Sequence, residues 1–150
     1  MTGPEVRELG AGEAESAWAA MRELRPHLGS MDEFAARVDD VQRRQGYRLA
    51  ACFQPGDPDA AAVAGFRMGD SLAWGRFMYV DDLVTREALR RRGHAAALMS
   101  WLRAEAERLG CHEMHLDSGV GPQRWDAHAL YFAQGLRIGA HHFQASVTTH

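Results

Sequence analysis

The fold of this chain is limited above all by residues 76 to 117. An alternating run, RFMYVDDLV, gives way there to a stretch of helical period and then to a short strand pattern with Met114 and Leu116 on one side. In the middle stretch Ala95, Leu98, Leu102, Ala106 and Leu109 share one helical face, opposite Arg103, Glu107 and Arg108, and Gly110 provides a C-terminal stop. Two strands joined through a helix cannot form a hairpin. The connection makes them parallel, with a right-handed crossover.

The other segments predict what surrounds this crossover. PEVREL (4 to 9) reads as a first strand, and a helix follows with Ala17, Trp18, Met21 and Leu24 on one face until Pro26 stops it. Ser30 to Glu33 reads as a capping box opening a second helix, with Met31, Phe34, Val38 and Val41 at helical spacing up to Gly46. Residues 47 to 54 alternate as a strand, PGDPD (55 to 59) is a turn, and a further strand runs through Ala64, Phe66 and Met68 to a Gly69-Asp70-Ser71 turn. With 76 to 84 these make an antiparallel meander. After the crossover a helix from about Asp126 to Gln134, ended by Gly135, leads into a final strand region, RIGAHHFQASVTT. The predicted fold class is α+β (mixed α/β): a central, mostly antiparallel sheet with one parallel crossover pair, flanked by about four helices.

Composition narrows the classes of function. The 150 residues fit one domain, 1–150, and 46% hydrophobic with 25% charged residues is a globular balance. No apolar run of about 18 residues and no signal-peptide pattern occur, which predicts a cytoplasmic protein without a membrane partner. Cys52 and Cys111 are too few and too separated for a disulfide framework or a thiolate metal site, and read as reduced, mostly buried thiols. All 17 basic residues are arginine, with no lysine or asparagine, a bias of GC-rich coding more than of chemistry. A net charge of -3 argues against a dedicated nucleic-acid binder.

The informative charge is local. Arg90-Arg91-Arg92-Gly93-His94-Ala95-Ala96 stands where the crossover helix begins. A helix start exposes unpaired N–H groups and about half a positive charge, and so attracts anions, phosphates above all. Added arginines destabilise such a start unless an anion arrives, and the small residues that follow let a ligand approach the main chain. The tract reads as a pyrophosphate site; taken alone, it also reads as a solvated basic first turn.

Its surroundings resemble a known family. Arg90-x-x-Gly93-x-Ala95 matches the R/Q-x-x-G-x-G/A signature of the GNAT superfamily of N-acetyltransferases, and lies between the third strand of a meander and a long amphipathic helix, as in that family. DDLVT upstream and AHALYFAQGLRIGAHHF downstream resemble its adjoining segments, the latter through the Tyr131-to-Gly135 spacing. The resemblance covers residues 76 to 143 and implies a GNAT-like fold with acetyl-CoA as cosubstrate. Its pyrophosphate is then held by the main-chain N–H groups of Arg91, Arg92, Gly93, His94, Ala95 and Ala96, with added side-chain charge from Arg90 and His94. The pantetheine arm pairs as an extra strand with Leu83, Val84 and Thr85.

The resemblance also assigns chemistry. Asp81 stands where some polyamine-type members carry the acid that takes the amine's proton; Asp82 points to the opposite face by strand alternation, unless a bulge intervenes. A main-chain N–H near Leu83 or Val84 is the implied oxyanion donor. Tyr131 is the implied phenol that protonates the departing thiolate. The chain departs from the pattern at Arg124, where many relatives have Asn, and at Leu136, where Phe is usual. Arg124 is expected to contact a CoA phosphate or an acidic acceptor, or else to be a surface residue.

The expected activity is N-acetyl transfer to a primary amine, small-molecule or peptide, by direct attack on the thioester. The alternative is a non-catalytic acyl-CoA-binding regulatory domain. Residues 25 to 35 and Gly139 to His142 are expected to shape the acceptor pocket, with Trp74 and Trp125 as candidate lining and Trp18 and Trp101 as core. The pairs His112/His115 and His141/His142 lack the Cys or carboxylate cluster of a tetrahedral site, so no metal is expected. The resemblance leaves room for a homodimer.

Overall fold

Five strands lie in the sheet in the order in which they occur along the chain, β1 (Glu5–Leu9), β2 (Arg48–Phe53), β3 (Ala62–Ser71), β4 (Gly75–Thr85) and β5 (Glu113–Leu116). The first four pair antiparallel; β4 and β5 pair parallel, joined through a helix, α3 (His94–Arg108). This is the crossover that the change of period at residue 85 demands. The structure, a computed structural model, describes residues 3 to 148. The chain divides into two compact units, Met1–Leu116 and Asp117–His150.

In the first unit α1 (Trp18–Leu24) and α2 (Met31–Arg37) cover one face of the sheet, where Met21, Phe34 and Val38 pack with Leu49, Val63 and Val84. Helix α3 packs against β2, β3 and β4, and its Trp101 meets the ring of Phe66 edge-on at 5.8 Å. With helices on either side, β2 is buried at every position from Leu49 to Phe53, and the small residues Ala50, Ala51 and Cys52 leave room for them. Trp18 stacks on Phe34 at 5.3 Å, a packing role as expected.

The local signals act through identifiable bonds. The Ser30 hydroxyl accepts from the Glu33 amide at 3.2 Å and starts α2. Helix α3 and α4 (Trp125–Ala133) both end as Schellman motifs: Cys111 N–H donates to Ala106 O at 2.9 Å, and Leu136 N–H to Tyr131 O at 2.9 Å. The Tyr131-to-Gly135 spacing is therefore also a helix-ending device.

Four expectations need correction. The helix from residue 31 does not run unbroken to Gly46, since Val38–Gln42 widens to a π-turn and Arg43–Gln45 narrows to a 3-10 turn. Arg43 explains the anchoring of this stretch: it bonds Asp39 at 2.7 Å and the carbonyls of Leu9 and Gly10 at the end of β1. Gly69-Asp70-Ser71 is not a turn but the end of β3; the hairpin turns at residues 72 to 74, where the Trp74 amide donates to Ser71 Oγ. RIGAHHFQASVTT forms no strand among its described residues, so His141 and His142 do not alternate across a sheet.

The fourth correction concerns the site directly. Gly65 pairs with Asp82 and Phe66 with Val80, so Asp81 is an extra residue in β4, a β-bulge. The bulge shifts the alternation by one, and Asp81 and Asp82 come to the same face, that of α1 and α2, instead of opposite ones. Gly65 is needed beside it: a Cβ there would fall inside the phenol of Tyr47, which lies over β3. Gly65→Ala is expected to cost about 1–3 kcal/mol as an overpacked site. In a Tyr47→Ala background the same change should cost much less, a coupling that denaturant titration of the four proteins in the cycle measures.

Candidate functional site

The bulge gathers a polar cleft of about 560 Å³, lined by Arg25, Gln42, Gln45, Tyr47, Arg67, Asp81 and Asp82. Each element delivers one part of it. Arg25, just past the end of α1, bonds Asp82 Oδ1 through Nε at 2.9 Å and the Asp81 carbonyl through Nη2 at 3.2 Å. Tyr47, entering β2, donates its hydroxyl to Asp82 Oδ2 at 2.8 Å. Arg67 on β3 meets the Asp81 carboxylate through Nε at 3.0 and 3.2 Å, its guanidinium 5.2 Å from the ring of Tyr79.

These contacts separate the two acids. Asp82 is held on both oxygens by a guanidinium and a phenol. Burial raises the Asp81 carboxyl above its ordinary value, an effect that Arg67 opposes. Burial, with the adjacent Asp82 charge, also lifts the Tyr47 phenol well above its ordinary value, so it stays a hydrogen-bond donor to Asp82.

Past the bulge, β4 offers its main chain. The β4–β5 ladder pairs only Phe77 to Val80. On the other edge, Arg86 N–H donates to Ala61 O at 2.9 Å; by the alternation of an antiparallel ladder, Val84 bonds toward β3, and Leu83 and Thr85 present N–H and C=O to the side that β5 has left. Of the two expected oxyanion donors, Leu83 thus has the outward-facing N–H.

The start of α3 is a second surface whose amides lack partners among the described residues. Arg91 and Gly93 both take positive φ, 65° and 85°. Gly93 is the N-cap and has no side chain to cap with, and the first intrahelical bond is Ala97 N–H to Gly93 O at 3.0 Å. The amides of His94, Ala95 and Ala96 therefore have no intrahelical acceptor, and the first turn holds no acidic residue. Arg90, Arg91 and Arg92 sit on the loop before it, all three exposed. The His94 ring departs from expectation: it is buried, with Nδ1 3.3 Å from Leu89 O, so it packs the loop and leaves only its amide to the helix start.

In the second unit Tyr131 is half-buried on α4, and burial raises its phenol above the ordinary value, which keeps it protonated. Arg124, at the N-cap of α4, lowers it in part. Trp125 is exposed on that helix. Trp74 stacks on His115 with centroids 3.5 Å apart and lies edge-on to Phe77 at 5.1 Å, and it is not among the residues lining the cleft. Among the described residues no cluster of three metal-ligating side chains occurs, and no helix is long and apolar enough to cross a membrane.

Sequence reasoning named Asp81 and Asp82 but missed Arg67, Tyr47 and Gln42 as their company, and reached Arg25 only as part of a segment. Nothing in the local pattern marks these residues. Arg67 and Tyr47 follow ordinary strand alternation, and only the bulge reveals what they face.

Residues 15–136 match the model of the acetyltransferase (GNAT) family. Over 135 residues the chain is 28% identical to an uncharacterized N-acetyltransferase, YhdJ, of Bacillus subtilis, covering 89% of this chain and 91% of that protein. A putative acetyltransferase from Agrobacterium tumefaciens shares the fold with a TM-score of 0.78 at 20% identity, over 95% of this chain and 99% of that one. The structure of AAC(6')-Iy in complex with a bisubstrate analog, CoA-S-monomethyl-acetylneamine, does so with a TM-score of 0.77 at 15% identity, over 99% and 100%. With the family match running through both the bulged strand and the start of α3, the chain belongs to the acetyltransferase (GNAT) family of acyltransferase enzymes.

Proposed function

We propose that the protein transfers the acetyl group of acetyl-CoA to a primary amine by direct attack of the amine on the thioester, within one domain over 1–150. One observation carries this reading: the outward main chain of Leu83 and Thr85 and the uncapped start of α3 are joined by the single loop 86–92. The first suits an extended amide-bearing arm and the second a diphosphate, which are the two parts of pantetheine diphosphate. The amides of Arg91 to Ala96, with Arg90 beside them, would hold the diphosphate, and Leu83, Val84 and Thr85 the arm, of which Leu83 and Thr85 have free strand-edge groups. A cytoplasmic location, where acyl-CoA thioesters form, goes with this reading.

Acetyl-CoA supplies an activated acyl thioester when bound. The remaining roles fall to the chain. Asp81 takes the proton of the incoming ammonium, and Asp82, fixed by Arg25 and Tyr47, holds the strand end and the local charge in place. The Leu83 N–H donates to the carbonyl oxygen as that oxygen gains charge. Tyr131 gives its phenolic proton to the leaving sulfur and regains one from solvent. Arg124 adds a positive charge near the Tyr131 phenol.

Four results test the reading. CoA at a hundredfold above its Kd should stabilise the fold by about 2.7 kcal/mol in a melting scan. Ala95→Asp should raise the ligand-free stability by about 0.3–1 kcal/mol, by meeting the positive helix end, yet abolish that CoA shift. Tyr131→Phe should lower kcat by about 10²-fold or more with CoA affinity nearly unchanged, measured by thiol release and calorimetry; unchanged turnover removes the role of Tyr131. For Asp81 the sign of the pH effect is set by burial: the raised carboxyl must ionise to accept a proton. Then kcat/KM rises with pH through a limb above the ordinary aspartate range, and Asp81→Asn removes that limb.

A further inference from the structure

We propose that the acceptor amine also carries an anionic oxygen group, carboxylate or phosphate, which Arg67 and Arg25 receive at the mouth of the cleft while Asp81 receives the amine. This rests on the acetyl-transfer reading and narrows its acceptor.

The charge of the cleft points away from a polycation. Its lining holds two arginines and two aspartates, which cancel, and the remaining residues, Gln42, Gln45 and Tyr47, are neutral. A site built to trap a polyamine would leave carboxylates facing the solvent. Here the order is reversed: the side chains of Asp82 and Asp81 are 15% and 28% exposed, those of Arg25 and Arg67 41% and 46%. An incoming molecule meets guanidinium first and carboxylate behind it.

Both arginines also have donors to spare. Arg67 engages Asp81 through Nε alone, and among the described residues neither of its terminal nitrogens makes a hydrogen bond. Arg25 engages the aspartates through Nε and Nη2, leaving Nη1 without a partner among the described residues. A guanidinium tethered at one edge is a planar, permanently charged fork suited to carboxylate or phosphate oxygens. The position of the Arg67 guanidinium over the ring of Tyr79 limits how far it can swing. A second ammonium on the acceptor would face these same guanidiniums and be repelled. An acceptor holding both charges satisfies both halves of the cleft: its anion takes the spare arginine donors and its amine reaches Asp81.

The test uses full-length protein, acetyl-CoA and four amines of similar length that differ in the distal group: propylamine, 3-aminopropanoate, 2-aminoethyl phosphate and 1,3-diaminopropane, beside a pool of α-amino acids. Thiol release and mass detection of the acetylated product give kcat/KM for each. An anionic amine should exceed propylamine by about 10-fold or more, the scale of a hydrogen bond to a charged group, and the diamine should be poorest. The carboxylate and phosphate arms decide which oxygen group is recognised. Arg67→Gln should remove most of that preference through KM, and Arg67→Lys should restore part of it; Arg25→Gln provides an independent second variant. Preference for propylamine or the diamine, or a ratio unmoved by Arg67→Gln and Arg25→Gln, overturns the proposal. Absence of any acetylated anionic amine while CoA still raises the melting temperature also overturns it and leaves the donor site standing. Loss of the CoA shift itself would strike the donor reading first.

Discussion

A single residue out of register in β4 holds the site together. Asp81 has no partner of its own on β3, because the pairing passes from Gly65 and Asp82 to Phe66 and Val80. Without that extra residue, Asp82 would face the α3 side of the sheet and the two carboxylates would be separated by its thickness. With it, both face α1 and α2, and Arg25, Tyr47 and Arg67 come into hydrogen-bond reach. The cost of placing two acids side by side in a partly buried cleft is met by the same arrangement, which gives each a guanidinium.

The bulge is also the point at which β4 loses its second neighbour. A β4 strand paired on both edges along its whole length would have no main-chain groups left to offer. Pairing with β5 stops at Val80, one residue before the bulge, and the next outward-facing groups belong to Leu83 and Thr85. Carboxylate cleft, open strand edge and uncapped helix start therefore succeed one another along one continuous stretch, from Asp81 to Ala96.

Electrostatics in the two parts of this stretch run in opposite senses. Around Gly93 positive charge accumulates, from the helix end and from the arginines before it, with no acidic residue in the first turn of α3. In the cleft, charge cancels. A helix start that is destabilised by its own neighbours is a costly feature in an unliganded fold, whereas a neutral, internally bonded cleft is not. This contrast is why the start of α3 stands out in the sequence and the cleft does not.

Much of the molecule is legible from residue order alone, because the signals involved are local. The crossover follows from the change of period after residue 85, the start of α2 from Ser30 and Glu33, and the ends of α3 and α4 from Gly110 and Gly135. The amide cluster at Gly93 is equally a matter of a few consecutive residues. The segment after Gly135 misleads, since an alternating pattern becomes a strand only where a partner edge is present. The bulge, the Tyr47 ring over Gly65 and the arginines facing Asp81 and Asp82 belong to the tertiary structure, for they depend on which residues of β2, β3 and α1 stand opposite β4. Periodicity along a chain specifies the face on which a side chain emerges, but the register between strands decides what it meets there.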